Sequence, residues 1–279
     1  MGFSYIDIHS HLNFAAFDED RDEVVRRALE AGVAVINVGT QKDTSRKAVE
    51  IAEKHDGAFA IVGLHPVHTS QSFHDKKELG EGGKEFTSRG EVFEAENYEE
   101  LVKHHKVVGI GECGLDYYRL DSDSEQKQKK TFVGHIDLAN KAKKPLMLHV
   151  RNGSGRFAYR EALELLKREA KVQGNFHFFA GSWDEAREIL DAGFTISFTG
   201  VLTFTHDYDE VIQNAPLNRI LSETDSPYVA PVPHRGKRNE PLYVREVVKA
   251  IARIRNEDEE KVRAQILKNA EQLFGISLS

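Results

Sequence analysis

From Ile6 onward the chain alternates apolar and polar side chains, Ile6-Asp7-Ile8-His9, and Ser10-His11 extend the run. This period of two is the mark of a strand. Asp7, His9 and His11 then share one face, with Ile6, Ile8 and Ser10 on the other. Further apolar runs at 33–39, 58–65, 107–112, 145–150, 174–179, 194–198 and 219–222 bring the expected strands, with 5–11, to eight. Helical spacing fills the gaps at 18–31, 44–55, 97–105, 124–143, 157–172, 183–192 and 206–214, and 241–255 and 258–274 close the chain. Ser182-Trp183-Asp184-Glu185 has capping-box spacing, and Gly32, Gly57 and Gly193 each follow a helix where a terminating glycine belongs. Eight strand–helix units of roughly thirty-odd residues each predict an α/β fold, a single-domain (β/α)8 TIM barrel. An open, doubly wound sheet is the alternative.

Catalytic groups of such barrels collect at the C-terminal ends of the strands. The chemistry of this sequence sits there. The first strand ends in His9-Ser10-His11 and the third in Gly63-Leu64-His65-Pro66. The fourth ends in Gly111-Glu112-Cys113-Gly114-Leu115-Asp116 and the fifth in His149-Val150-Arg151. The sixth carries His177, and the eighth ends in Ser222-Glu223-Thr224-Asp225. Each alone reads as a buried polar residue with its own partner. Their common placement asks for an ion, because buried histidines and carboxylates need one another or a cation to offset desolvation. His9, His11, His149 and His177 with Glu112 and Asp225 suit divalent cations of mixed nitrogen and oxygen ligation. Six ligands exceed the need of one tetrahedral ion and suit two, with Glu112 as the expected bridge. Asp7 either orients a ligand or joins the set. Asp225 is placed both to bind metal and to take a proton from an attacking water. No Gly-x-Ser-x-Gly elbow, Walker-type loop or Gly-x-Gly-x-x-Gly after the first strand offers a competing chemistry.

Composition narrows the picture modestly. A net charge of −7 argues against broad, nonspecific wrapping of nucleic acid but leaves room for one narrow basic groove. No apolar run is long enough to predict a membrane span, and no secretory leader is expected. The single cysteine, Cys113, has no internal partner, which fits a cytoplasmic protein, and beside Glu112 it reads as a packed small hydrophobe.

At this level of detail the chain resembles the TatD family of metal-dependent deoxyribonucleases, within the wider metal-dependent hydrolase superfamily. The resemblance runs from Ile6 to Phe274. It rests on Asp7-Ile8-His9-Ser10-His11-Leu12, Gly63-Leu64-His65-Pro66 and Gly109-Ile110-Gly111-Glu112-Cys113-Gly114-Leu115-Asp116-Tyr117-Tyr118. Pro145-Leu146-Met147-Leu148-His149-Val150-Arg151, His177-Phe178-Phe179-Ala180-Gly181-Ser182 and Glu223-Thr224-Asp225-Ser226-Pro227-Tyr228 continue it. The resemblance implies His9, His11, Glu112, His149, His177 and Asp225 as metal ligands, Asp225 also as general base, and His65, Arg151 and Glu223 in the substrate shell. It implies a (β/α)8 barrel and hydrolysis of phosphodiesters at 3′ ends of nucleic acid, with magnesium or a similar ion. Some members are implicated in removing D-amino acids from tRNA. This chain departs from the family pattern at Asn13, where aspartate is frequent, at Phe178 and Ala180 in the fifth motif, and at His135, where glutamine is usual. These departures spare every ligand and bear on substrate choice.

Three functions follow as expectations. The first is a 3′–5′ exonuclease on single-stranded DNA or RNA ends, using two divalent ions (Mg2+, Mn2+ or Zn2+). The second is a deacylase of D-aminoacyl-tRNA or another small ester, and the third a noncatalytic, metal-stabilised binding protein. No obligate protein partner is signalled. Arg235, Lys237 and Arg238, following the eighth strand, are expected to grip phosphate. Phe14, Phe17, Tyr117 and Phe204 are either base-stacking groups or packing. The polar, glycine-containing segment 69–96 is expected as a long loop insertion on the active face, either a flap or a passive insertion.

Overall fold

The computed structural model describes residues 2–71, 73–74, 86–87, 89–118, 120 and 124–278. The expected flap, and with it the heart of segment 69–96, lies outside the described residues. Of that segment the structure describes 69–71, 89–96 and a short antiparallel pairing of Phe73–His74 with Phe86–Thr87.

Eight strands line up in chain order in one sheet: β1 (Tyr5–Ser10), β2 (Val33–Val38), β3 (Ala58–Val62), β4 (Val107–Asp116), β5 (Leu146–Arg151), β6 (Gly174–Phe176), β7 (Thr195–Phe198) and β8 (Ile220–Ser222). Every neighbouring pair is parallel. Between and after them lie α1 (Arg21–Glu30), α2 (Lys42–Lys54), α3 (Glu96–Lys103), α4 (Ser124–Ala142), α5 (Ala158–Glu169), α6 (Trp183–Asp191), α7 (Asp209–Asn214), α8 (Val244–Arg255) and α9 (Glu259–Phe274). β2 is buried along its whole length, which is why Val33-Ala34-Val35-Ile36-Asn37-Val38 reads as a nearly continuous apolar run: one face packs inside the barrel, the other under helices. α8 shows the complementary pattern, with Val244, Val247, Val248 and Ile251 buried at helical spacing. The capping box at α6 forms as expected, Glu185 N donating to Ser182 Oγ (3.3 Å) and Ser182 N to Glu185 Oε2 (2.8 Å). Among the described residues no helix is long and apolar enough to cross a membrane.

The barrel closes between β1 and the segment after β8. Asp225 N donates to His9 O (2.9 Å) and His11 N to Ser226 O (2.8 Å). Asp7 fastens the same seam: its carboxylate accepts from Thr224 Oγ1 (2.5 Å), Thr224 N (2.8 Å) and His9 N (3.2 Å). Burial nevertheless holds the Asp7 carboxyl well above its usual range. Of the two roles expected for Asp7, it takes orientation, by locking the backbone that carries His9 and Asp225.

Two boundaries differ from the sequence expectation for reasons that bear on the site. β4 runs on to Asp116 rather than ending at 112, because Gly111 (φ +148°) and Gly114 (φ +142°) let it lie against β5. A Cβ at Gly114 would come within 2.1 Å of His149 O. β6 ends at Phe176 because the chain bends at Phe178, whose φ of 43° is left-handed and costly for a bulky residue.

His135 on α4 is fully buried against Phe93 (ring centroids 3.9 Å). Its Nδ1 donates to Thr131 O (2.8 Å) and its Nε2 accepts from Leu64 N (2.9 Å). Burial pulls its pKa down from 6.5 to about 4. The unfolded chain therefore binds the extra proton first. The neutral imidazole's contribution is complete above about pH 6.5 and is lost as pH falls toward about 4. Glutamine at this position offers an oxygen to Leu64 N without titrating. Denaturant unfolding at pH 7 and pH 5 is expected to show wild type losing about 2 kcal/mol more than His135→Gln on acidification. Parallel losses in the two proteins would refute the assignment.

Candidate metal centre

The side chains of His9, His11, Glu112, His149, His177 and Asp225 converge at the C-terminal end of the barrel, all buried or nearly so. Glu112 lies at their middle, 2% exposed, and its two oxygens face different neighbours. Oε2 lies 3.3 Å from His9 Nε2 and 3.7 Å from His11 Nε2. Asp225 Oδ1 completes that lobe, 3.3 Å from His11 Nε2 and 3.8 Å from His9 Nε2. Oε1 lies 2.9 Å from His149 Nδ1, 2.8 Å from His177 Nε2 and 3.2 Å from His65 Nε2.

Hydrogen bonds behind the imidazoles decide which nitrogen faces inward. His11 Nδ1 donates to Val38 O (2.9 Å), leaving Nε2 a bare lone pair. His149 Nε2 donates to Asp116 Oδ2 (2.9 Å), so its bare nitrogen is Nδ1. That lone pair faces His177 Nε2 at 3.1 Å and the Glu112 carboxylate. His9 Nε2 and His11 Nε2 meet at 3.2 Å. Acceptors converging on acceptors are repulsive unless a cation or added protons lie between them. A nitrogen and carboxylate set of this kind fits divalent ions. His65 differs. Its Nδ1 accepts from Val67 N (3.2 Å), so Nε2 carries the proton and points it at Glu112. It is a donor in this arrangement rather than a ligand, although it stands close enough to join Glu112 and His149 in a metal-capable triplet.

The electrostatics repeat this division. Burial alone would raise the Glu112 carboxyl, but His65, His177 and His9 hold it well below its usual range. Burial works to lower His177, yet Glu112 and Glu223 outweigh it and hold the imidazole well above its usual value. His65 is dominated by burial and falls to about 4, so it stays neutral near pH 7.

The residues behind the ligands are only partly legible in the sequence. Asp116, outside the expected site residues, orients His149 while accepting Tyr118 N at Oδ1 (2.9 Å). The signal was its spacing: Glu112, Gly114 and Asp116 fall on one face of a strand. Glu223 is fully buried, and its oxygens accept from Phe178 N (2.5 Å) and Ser197 Oγ (2.8 Å) beneath His177 Nδ1 (3.6 Å). It stands close enough to join His9 and His177 in a metal-capable triplet. The Arg238 guanidinium pairs with both oxygens of Asp20 (2.9 and 2.5 Å) and with Ala16 O, over the Phe17 ring. Arg151 stacks on Tyr118 (3.8 Å) and Arg235 on Phe204 (4.0 Å), while Lys237 is exposed. Among the four expected aromatics, Phe17 and Tyr117 are core, Phe14 stacks on His11 (4.4 Å), and Phe204 alone is strongly exposed. Cys113 is buried in the apolar core, as expected.

Comparison with known proteins agrees with this geometry. The family model described as TatD related DNase matches residues 6–275. The uncharacterized metal-dependent hydrolase YabD of Bacillus subtilis is 35% identical over 97% of this chain and 99% of its own length. The 3′-5′ ssDNA/RNA exonuclease TatD of Klebsiella pneumoniae is 32% identical over 98% of both chains. The crystal structure of YjjV, a TatD homologue from Escherichia coli, superposes with a TM-score of 0.81 at 25% identity, covering 99% of this chain and 100% of its own. An eight-stranded parallel barrel with this cluster of histidines and carboxylates, matched by one family model over residues 6–275, identifies the chain as a member of the TatD family of metal-dependent hydrolases.

Proposed function

We propose that this protein is a 3′–5′ exonuclease that hydrolyses phosphodiesters of single-stranded DNA or RNA with two divalent ions, Mg2+, Mn2+ or Zn2+. The observation that carries the reading is the division of Glu112: one carboxylate oxygen serves each lobe of the cluster. His9, His11 and Asp225 would hold one ion with Glu112, and His149 and His177 the other. Bound there, the ions supply charge neutralisation of the phosphate and a lowered pKa for the attacking water.

The remaining work falls to the chain's own side chains. Asp225 is the more accessible of the two central carboxylates, with a side chain 13% exposed against 3% for Glu112. It takes the proton of the water as the new bond to phosphorus forms. The bond from phosphorus to the departing O3′ breaks, O3′ takes a proton from solvent to become the hydroxyl of the shortened strand, and Asp225 returns its proton to solvent. When substrate binds, His65 turns its Nε2 proton from Glu112 to a phosphate oxygen, and Arg151, held over the Tyr118 ring, pairs with another. The Klebsiella relative's name supports the nucleic-acid substrate.

The test is the order of label loss from 3′-labelled and 5′-labelled single strands, with a divalent metal or with chelator. Metal-dependent loss of the 3′ label first is expected. Intact strands under every metal, from protein shown to hold metal, would refute the exonuclease, and aminoacyl-tRNA would be the substrate to try next.

A further inference from the structure

We propose that Phe204 and Arg235 form a nucleobase-stacking subsite at the rim of the metal centre; this rests on the nucleic-acid reading above and goes beyond it by naming where a base is held. Phe204 follows the 3-10 turn Gly200–Thr203 directly after β7, and Arg235 belongs to the segment after β8 that also supplies Asp225. Both therefore lie on the face of the barrel where the cluster opens. The two segments are joined, Val232 N donating to Thr203 Oγ1 (2.8 Å).

Phe204 is 44% exposed. The Arg235 guanidinium lies 4.0 Å from its ring centre. That stack is preorganised. Arg235 Nη1 donates to Ala230 O (3.1 Å), and the preceding His234 is stacked flat on Tyr243 (3.7 Å, 2° between planes). A guanidinium plane backed by an aromatic ring is a surface on which an unpaired base stacks, while its charge meets the adjoining phosphate. Bases inside a duplex have both faces covered by their stacked neighbours, so the subsite favours the unstacked bases of single strands. The neighbouring Lys237 adds positive charge to this edge of a protein whose net charge is −7.

The test is equilibrium binding of metal-loaded protein to labelled single strands whose 3′-terminal linkage is a methylphosphonate, which resists hydrolysis. One strand carries bases and the other has abasic residues at its 3′ end. Wild type is expected to bind the base-bearing strand about tenfold tighter. Phe204→Ala should erase that ratio and Phe204→Trp should keep it. A wild type that binds both strands equally or neither, or a Phe204→Ala protein that keeps the ratio, would overturn the proposal. Cleavage of unmodified strands separates the two readings. A Phe204-dependent ratio from a protein that never cleaves would refute the exonuclease alone. Cleavage by a protein whose ratio ignores Phe204 would refute the subsite alone.

Discussion

Replacing Glu112 by glutamine is expected to lower turnover by at least about a thousandfold and to strip metal from both lobes at once. No other side chain in the cluster has one oxygen in each lobe, 3.3 Å from His9 Nε2 on one side and 2.8 Å from His177 Nε2 on the other. Glutamine matches its shape but keeps a single acceptor oxygen. Its amide N–H would turn toward one set of imidazole lone pairs, so one lobe gains a donor where an ion needs a ligand. The other lobe loses the negative charge that offsets a divalent cation. Elemental analysis of dialysed protein should show fewer bound ions, with circular dichroism unchanged. A glutamine variant that holds as much metal as wild type and turns over within about tenfold of it would end the bridging assignment.

Much of this centre is written in strand periodicity. His9 and His11 announce themselves because a period of two puts them on one face, and Glu112, His149 and Asp225 because each stands at the end of an apolar run. The fold follows from the same regularity, with eight parallel strands in chain order. What periodicity does not carry is where a strand stops. β4 continues four residues past Glu112 because Gly111 and Gly114 allow close approach to β5, and that extension brings Asp116 to His149. The bend at Phe178 is likewise a tertiary effect: its N–H goes to Glu223, which lies beneath His177. Arg238 pairs with Asp20, 218 residues away in sequence, a pairing no local pattern reports.

Asp225→Asn is expected to reduce turnover by about 10²- to 10⁴-fold, the range of a lost general base, while His149, His177 and Glu112 keep their lobe's affinity. The position is held hard. Asp225 sits at a left-handed φ of 54°, its N–H bonded to His9 O, and its neighbour Thr224 is clamped by Asp7. Such a conformation is unfavourable for most residues but tolerated by aspartate and asparagine, so the substitution should leave the backbone in place. Asparagine retains one oxygen toward His11 and His9 but cannot accept a proton at neutral pH. Two roles can therefore be separated by titrating metal into the variant. If Asp225 were a ligand only, saturating metal would restore turnover in step with occupancy. If it is the base, the deficit persists at full occupancy, because the missing group is the one that removes the proton from water. Recovery to wild-type turnover at saturating metal would withdraw the base from Asp225 and leave it as a ligand.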